Sequence, residues 1–273
     1  MKAAVLGAPI AHSLSPVLHR AAYQALGLTG WSYEAIECDT ARLPAVLDGC
    51  GPGWAGLSLT MPLKRAVLPL LDHIDPLARE VGADNTVVFT GGQRHGHNTD
   101  VPSMIVALAE AGVTGLPGPA TVLILGGGAT ACSALAAVRG LDAARATAAV
   151  RDPGRAQDLL AAAARLAVGL TLTSFDEPEV TAPDVLISTV PAGAADLHAK
   201  RIARNTLTPK HLLDVVYHPW PTPLAAAARH AGIPVAGGFA LLLHQAAGQV
   251  ELMTGHPAPL AAMRTAGESA LIA

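Results

Sequence analysis

The chain has 273 residues, 51% of them hydrophobic and 14% charged, with a formal net charge of −3. That excludes disorder and leaves enough apolar material for one large core or two smaller ones. Its basic residues form only short mixed stretches, such as Lys200-Arg201 with Arg204, so a nucleic-acid surface is not expected.

The elements follow in chain order. Ala3–Leu6 reads as a strand and Pro16–Leu26 as a helix. Trp31–Ile36 alternates with period two like a strand, and Leu43–Asp48 is a short helix. Leu57–Thr60 is a strand, Pro62 opens a helix over Leu63–Leu71, and the strand Thr86–Thr90 turns at Gly91-Gly92. Met104–Ala111 is a connecting helix. The continuous apolar run Thr121–Leu125 enters Gly126-Gly-Gly-Ala-Thr-Ala and then a helix over Cys132–Arg139. Further strands are expected at Arg145–Val150, Leu170–Leu172, Val185–Ser188, His211–Val216 and Ile233–Val235, with closing helices at Leu241–Thr254 and Ala258–Leu271. This rhythm predicts an α/β fold with mainly parallel sheets covered on both faces, doubly wound in the second half.

Three cysteines, Cys38, Cys50 and Cys132, form no CxxC pair and no metal-ligand spacing, which fits a reducing cytoplasm. The opening apolar run before Pro9 is too short for a signal peptide. Ala120–Val138 is uncharged and long enough to span a bilayer, but three glycines at its middle make it a strand, turn and helix. His95-x-His97 lacks a third ligand at familiar spacing, so no metal is expected and both histidines are assigned to a loop.

Chemistry concentrates in a few segments. Ala11-His-Ser-Leu-Ser-Pro16 offers the hydroxyls of Ser13 and Ser15 ahead of a proline. Ser58-Leu-Thr-Met-Pro-Leu-Lys64 and Gly96-His-Asn-Thr-Asp100 each end in one charge among neutral hydrogen-bonding groups. Together they suit a small polyhydroxylated anion undergoing proton transfer. Taken singly, each has a plainer reading: Lys64 as a surface lysine, Asn85 and Asp100 as turn caps, Ser15 as the cap of the helix at Pro16. The strand entering Gly126-x-Gly128 and a following helix sets unpaired N–H groups and a helix dipole beside a gap without side chains, where a pyrophosphate can approach. The third glycine of that fingerprint is Ala131 here. At the end of the next strand, Arg151 and Arg155 suit a 2'-phosphate, because guanidinium pairs bidentately with phosphate.

These segments, in this order, resemble shikimate dehydrogenase along nearly the whole chain, from Gly7-Ala-Pro-Ile-Ala-His-Ser-Leu-Ser-Pro16 to Gln245. The resemblance implies reversible NADPH-dependent reduction of 3-dehydroshikimate to shikimate, in aromatic amino acid biosynthesis. It implies a substrate-binding domain from 1–101 plus 237–273, a Rossmann-like NADP-binding domain over 102–236, terminal helices that return to the first domain, and a cleft between the domains. It also implies that Lys64 and Asp100 are the catalytic pair. By the same resemblance Ser13 and Ser15 hold the substrate carboxylate with Tyr217 closing over it, and Thr60, Asn85 and Gln245 surround the ring. Gly126, Gly127, Gly128, Ala129, Arg151, Arg155 and Gly238 would contact NADP. Ser58 stands where the family has Asn, Val101 where Gly is usual, and Gly237 where Asp is usual. Val150 and Asp152 depart from the family's Asn-Arg-Thr pattern. The expected partners are the small-molecule substrate and cofactor, with no nucleic acid or membrane, and the protein is expected to be a monomer or homodimer. Two alternatives stand beside this reading: an NAD-preferring quinate/shikimate or aminoshikimate dehydrogenase, and a non-catalytic ligand-binding regulatory protein. An intact Lys64 and Asp100 argues against the latter, since a sensor needs no proton-transfer pair.

Overall fold

The computed structural model describes residues 1–116 and 118–272; Pro117 and Ala273, which fall within the expected domains, lie outside the described residues. The chain divides into two compact units, Met1–Thr99 with the segment from Leu243 onward, and Asp100–Leu242.

The first unit runs β1 (Lys2–Gly7), α1 (Ser15–Ala25), β2 (Ser32–Glu37), α2 (Leu43–Asp48), β3 (Trp54–Leu59), α3 (Leu63–Ala66), β4 (His73–Ile74), α4 (Pro76–Val81), β5 (Thr86–Thr90) and β6 (Gln93–His97). Its six strands lie in the order β2-β1-β3-β5-β6-β4. Strands β2, β1 and β3 are mutually parallel, β5 runs antiparallel to β3 and to β6, and β4 is parallel to β6. This sheet is therefore mixed rather than mainly parallel. The reason is local: Gly91 and Gly92 both take positive φ, 61° and 78°, the signature of a tight hairpin turn that reverses the chain at once. His95 and His97 consequently lie on β6 and not in a loop. The helix expected over Leu63–Leu71 also ends early, at Ala66, followed by a 3₁₀ turn over Leu68–Leu70. Pro69 has no N–H to continue the ladder.

Helix α1 buries Ser15, Leu18, His19, Ala22 and Tyr23, a stripe at the three- and four-residue spacing of one helix face. Ser15 is itself helical, and Leu14 holds the N-cap position without a side-chain cap bond. Ala4, Leu6, Leu57, Leu59, Leu43, Leu47 and Val87 meet in one core cluster.

The second unit runs α5 (Asp100–Glu110), β7 (Val122–Leu125), α6 (Ala129–Gly140), β8 (Arg145–Val150), α7 (Gln157–Arg165), β9 (Gly169–Ser174), β10 (Val185–Ser188), α8 (Asp196–Ala203), β11 (His211–Asp214), α9 (Pro223–His230) and β12 (Val235–Gly237). Its strands are all parallel, in the order β12-β11-β10-β7-β8-β9. Numbered from β7, that is 3-2-1-4-5-6 read from the β9 edge, the doubly wound order whose direction reverses between β7 and β10. Both of those strands are buried at every position, as a sheet covered on two faces requires. Leu123, Leu125, Leu186, Leu212, Leu224 and Phe175 share its core.

Helix α10 (Gly238–Thr254) begins in the second unit and continues into the first, and α11 (Leu260–Ile272) follows it. Helix α11 packs against α1, so the terminal helices do return to the first unit.

Candidate active site

In the first unit, the end of β3 and the turn before β5 are laced together through the backbone. Leu59 N–H donates to the Asn85 carbonyl at 2.8 Å, Leu63 N–H to Thr60 at 2.8 Å, and Asp84 N–H to Lys64 at 2.7 Å. These bonds hold Thr60, Lys64 and Asn85 in one neighbourhood. Asn85 is 1% exposed. Its side-chain oxygen accepts from Thr99 N–H at 2.8 Å and from the Thr86 hydroxyl at 2.9 Å, and its amide nitrogen donates to Thr99 Oγ1 at 2.9 Å and to Gln245 Oε1 at 3.4 Å. Asn98 donates to the Ala83 carbonyl at 2.9 Å, which ties the segment ahead of Asp100 to the same turn. Ser13 Oγ accepts from Ser15 N–H at 3.3 Å.

Ser58, which replaces the family's Asn, is buried and fully engaged. It accepts from Tyr33 Oη at 2.6 Å and donates to Gln249 Oε1 at 2.8 Å. Burial raises the Tyr33 hydroxyl well above its ordinary range, with the bonds to Ser58 and Ser15 opposing that rise. His19 stacks on Tyr33 with ring centroids 3.9 Å apart. Burial brings its pKa down to about 3, the bond to Gln249 opposing it. The first unit thus gathers Ser13, Ser15, Thr60, Lys64, Asn85 and Gln245, and adds Tyr33, Thr86, Thr99 and Gln249, which sequence reading passed over. One signal for Gln249 was present: it lies four residues after Gln245, on the same helix face.

The second unit holds the glycine turn at the carboxyl end of β7. Gly126 has φ 112°, and a Cβ there would lie 2.6 Å from Thr189 Oγ1 at the end of β10, so only glycine lets the two strand ends meet. Gly128 is the N-cap of α6 and a Cβ on it would face open space. The first residue of α6 is Ala129. Arg151 follows β8 with its guanidinium 5.6 Å from the centroid of the Phe175 ring. The Asp152 carboxylate accepts from Gly154 N–H at 2.9 Å, so it caps the 3₁₀ turn that carries Arg155. Val150 packs against Gly127, 3.3 Å from the position of its would-be Cβ. Turn, helix end and two guanidiniums fit a dinucleotide with a ribose phosphate.

Asp100 opens α5 and is buried; a carboxylate in a first turn is favoured by the helix dipole, and its carbonyl accepts from the Ser103 hydroxyl at 2.8 Å. Val101 is buried beside it. Tyr217 lies in the loop after β11. Asp214 spans that loop, accepting from Thr222 Oγ1 at 2.5 Å and from Val216 N–H at 3.3 Å. Burial raises the Asp214 carboxyl above its ordinary value, and those bonds oppose the rise. Gly237 lies under the Trp220 ring, whose nearest atom is 2.8 Å from a would-be Cβ, so the indole takes the space a side chain would need. Gly238 abuts the backbone of Val215 and Val216. Among the described residues no group of three or more His, Cys, Asp or Glu could hold a metal ion, and no helix is long and apolar enough to cross a membrane.

A doubly wound sheet with a phosphate-type turn, paired with a second α/β unit rich in buried amides and hydroxyls around a lysine, defines the class of two-domain α/β dehydrogenases. The family model for the shikimate dehydrogenase substrate binding domain matches residues 5–87, and that for the shikimate 5'-dehydrogenase C-terminal domain matches residues 238–266. Shikimate dehydrogenase from Mycobacterium tuberculosis is 43% identical, with 98% of this chain and 99% of that one covered and a TM-score of 0.87. Shikimate 5-dehydrogenase from Thermus thermophilus, crystallised with NADP(H) and shikimate, is 31% identical over 99% of this chain and 100% of that one, at a TM-score of 0.84. A shikimate dehydrogenase (NADP(+)) from Anaeromyxobacter sp. (strain Fw109-5) is 37% identical, with 96% of this chain and 94% of that protein covered. The chain belongs to the shikimate dehydrogenase family.

Proposed function

We propose that the chain catalyses the reversible, NADPH-dependent reduction of 3-dehydroshikimate to shikimate. NADPH, when bound, supplies the hydride that reaches the ring carbonyl carbon. Lys64 then gives a proton to the carbonyl oxygen, and takes it back in the oxidative direction; Asp100 orients the lysine and accepts a bond from a ring hydroxyl. Asn85, Thr60 and Gln245 hold ring hydroxyls, and Ser13, Ser15 and Tyr217 hold the carboxylate. Gly126, Gly127, Gly128 and Ala129 leave room for the pyrophosphate, Gly238 belongs to the cofactor-binding set, and Arg151 and Arg155 meet the 2'-phosphate. The substrate-binding part is residues 1–101 with 237–273, and the cofactor-binding part is 102–236.

The observation that carries this reading is the Asn85 amide, buried yet oriented by donors and acceptors on both sides, in the unit that also holds Lys64. Support for NADP over NAD comes from Asp152, whose carboxylate is engaged with Gly154 N–H, so the acid beside Arg151 serves the turn. The test is the initial rate of shikimate-dependent NADP reduction, measured beside NAD and quinate, on wild type and Lys64→Ala. A fast NADP and shikimate reaction lost in the variant is expected. Activity mainly with NAD or quinate would move the protein to the quinate/shikimate group, and no activity would leave a binding protein.

A further inference from the structure

Gln249 is not among the groups assigned to substrate or cofactor, yet all four hydrogen-bonding positions of its buried amide are used. Its nitrogen donates to the Asn85 carbonyl at 3.2 Å and to Thr86 Oγ1 at 3.1 Å, and its oxygen accepts from Ser58 Oγ at 2.8 Å and lies 3.3 Å from His19 Nε2. The orientation is forced, because a backbone carbonyl only accepts and so must face the NH₂ end. The remaining directions follow. Ser58 gives its one proton to Gln249 and therefore accepts from Tyr33; Thr86 accepts from Gln249 and therefore gives its one proton to Asn85 Oδ1. A single-direction relay thus runs Tyr33 to Ser58 to Gln249 to Thr86 to Asn85, and Asn85 passes it to Gln245. In a buried setting such a relay restricts each member to one rotamer and one proton position.

We infer that Gln249 is a positioning residue for substrate binding: it holds the Asn85 carbonyl directly and, through Thr86, sets where the Asn85 amide points. The inference rests on the proposed reading of Asn85 and Gln245 as substrate ligands.

The test uses the full-length enzyme with shikimate and NADP. Gln249→Leu and Thr86→Val are each expected to raise the KM for shikimate about tenfold or more, with kcat and the KM for NADP within about threefold of wild type. Thr86→Val keeps the side-chain volume and removes the hydroxyl, whereas Thr86→Ser keeps the hydroxyl and loses a methyl. Thr86→Ser is therefore expected to stay within about threefold of wild type. A KM that follows volume, with Thr86→Ser as impaired as Thr86→Val, overturns the proposal, and so does Thr86→Val behaving as wild type. Should Gln249→Leu fail to fold by circular dichroism, the Thr86 pair alone decides. Wild-type enzyme inactive on shikimate overturns the functional reading and this inference with it; active wild type with unchanged variants overturns only the inference.

Discussion

In the reaction proposed above Lys64 stabilises charge that exists only while the carbonyl is being reduced, so on that proposal its removal belongs in kcat rather than in binding. Lys64→Ala is expected to lower kcat by about 10²–10⁴-fold, the usual range for a positioned acid or base, with the shikimate KM changed far less; a kcat within tenfold of wild type would take Lys64 out of the chemistry. Arg151 has the opposite profile. Its guanidinium rests by the Phe175 ring just past the end of β8, and the proposed function assigns it the 2'-phosphate. Arg151→Ala should raise the KM for NADP about tenfold while leaving the weaker reaction with NAD nearly unchanged, because NAD lacks the 2'-phosphate. Equal losses with both cofactors would assign Arg151 to the fold instead.

At the scale of elements, the loop between β11 and α9 carries Tyr217 and is held at both ends by one carboxylate. Thr222 caps α9, accepting from Ala225 N–H at 3.0 Å while donating to Asp214. Loss of such a cap costs about 1 kcal/mol, and here it also releases Asp214 from its main partner. Thr222→Ala should therefore lower the urea midpoint of unfolding and raise the shikimate KM together. Thr222→Ser, which keeps the cap and the bond to Asp214, should restore both. A stability loss without any change in KM would separate the loop from the substrate. The glycine turn is governed by the same logic of local geometry: Gly126 is required both by its own φ of 112° and by the approach of Thr189 at the end of β10.

For the molecule as a whole, His19 couples stability to pH. Burial holds its pKa at about 3 in the folded state, against about 6.5 when unfolded. Below pH 6.5 the unfolded chain takes up a proton that the folded chain refuses, so stability falls with falling pH, by up to about 1.4 kcal/mol per pH unit. The full contribution is present above pH 6.5 and shrinks down to pH 3. Burial lowers His97 and His198 in the same direction, so the diagnostic is a difference. Between pH 7.5 and 5.5, His19→Phe should lose about 1.4 kcal/mol less than wild type in urea unfolding; identical pH slopes would show that His19 titrates normally. Much of this molecule was legible in its residues. Apolar runs such as Thr121–Leu125 set the strands, Gly126 to Gly128 announced the phosphate-type turn, and the motifs ending in Lys64 and Asp100 carried the family, because each depends on neighbours close in sequence. Tertiary structure decided the rest. The pairing of β5 against β3 and of β4 beside β6, which makes the first sheet mixed, joins segments that are distant in the chain. The relay through Gln249 joins residues that lie as far apart in the chain as Tyr33, Ser58, Thr86 and Gln249. Such a network has no sequence spacing to betray it, since it forms only when α10 folds back over the sheet and buried polar groups must find partners there.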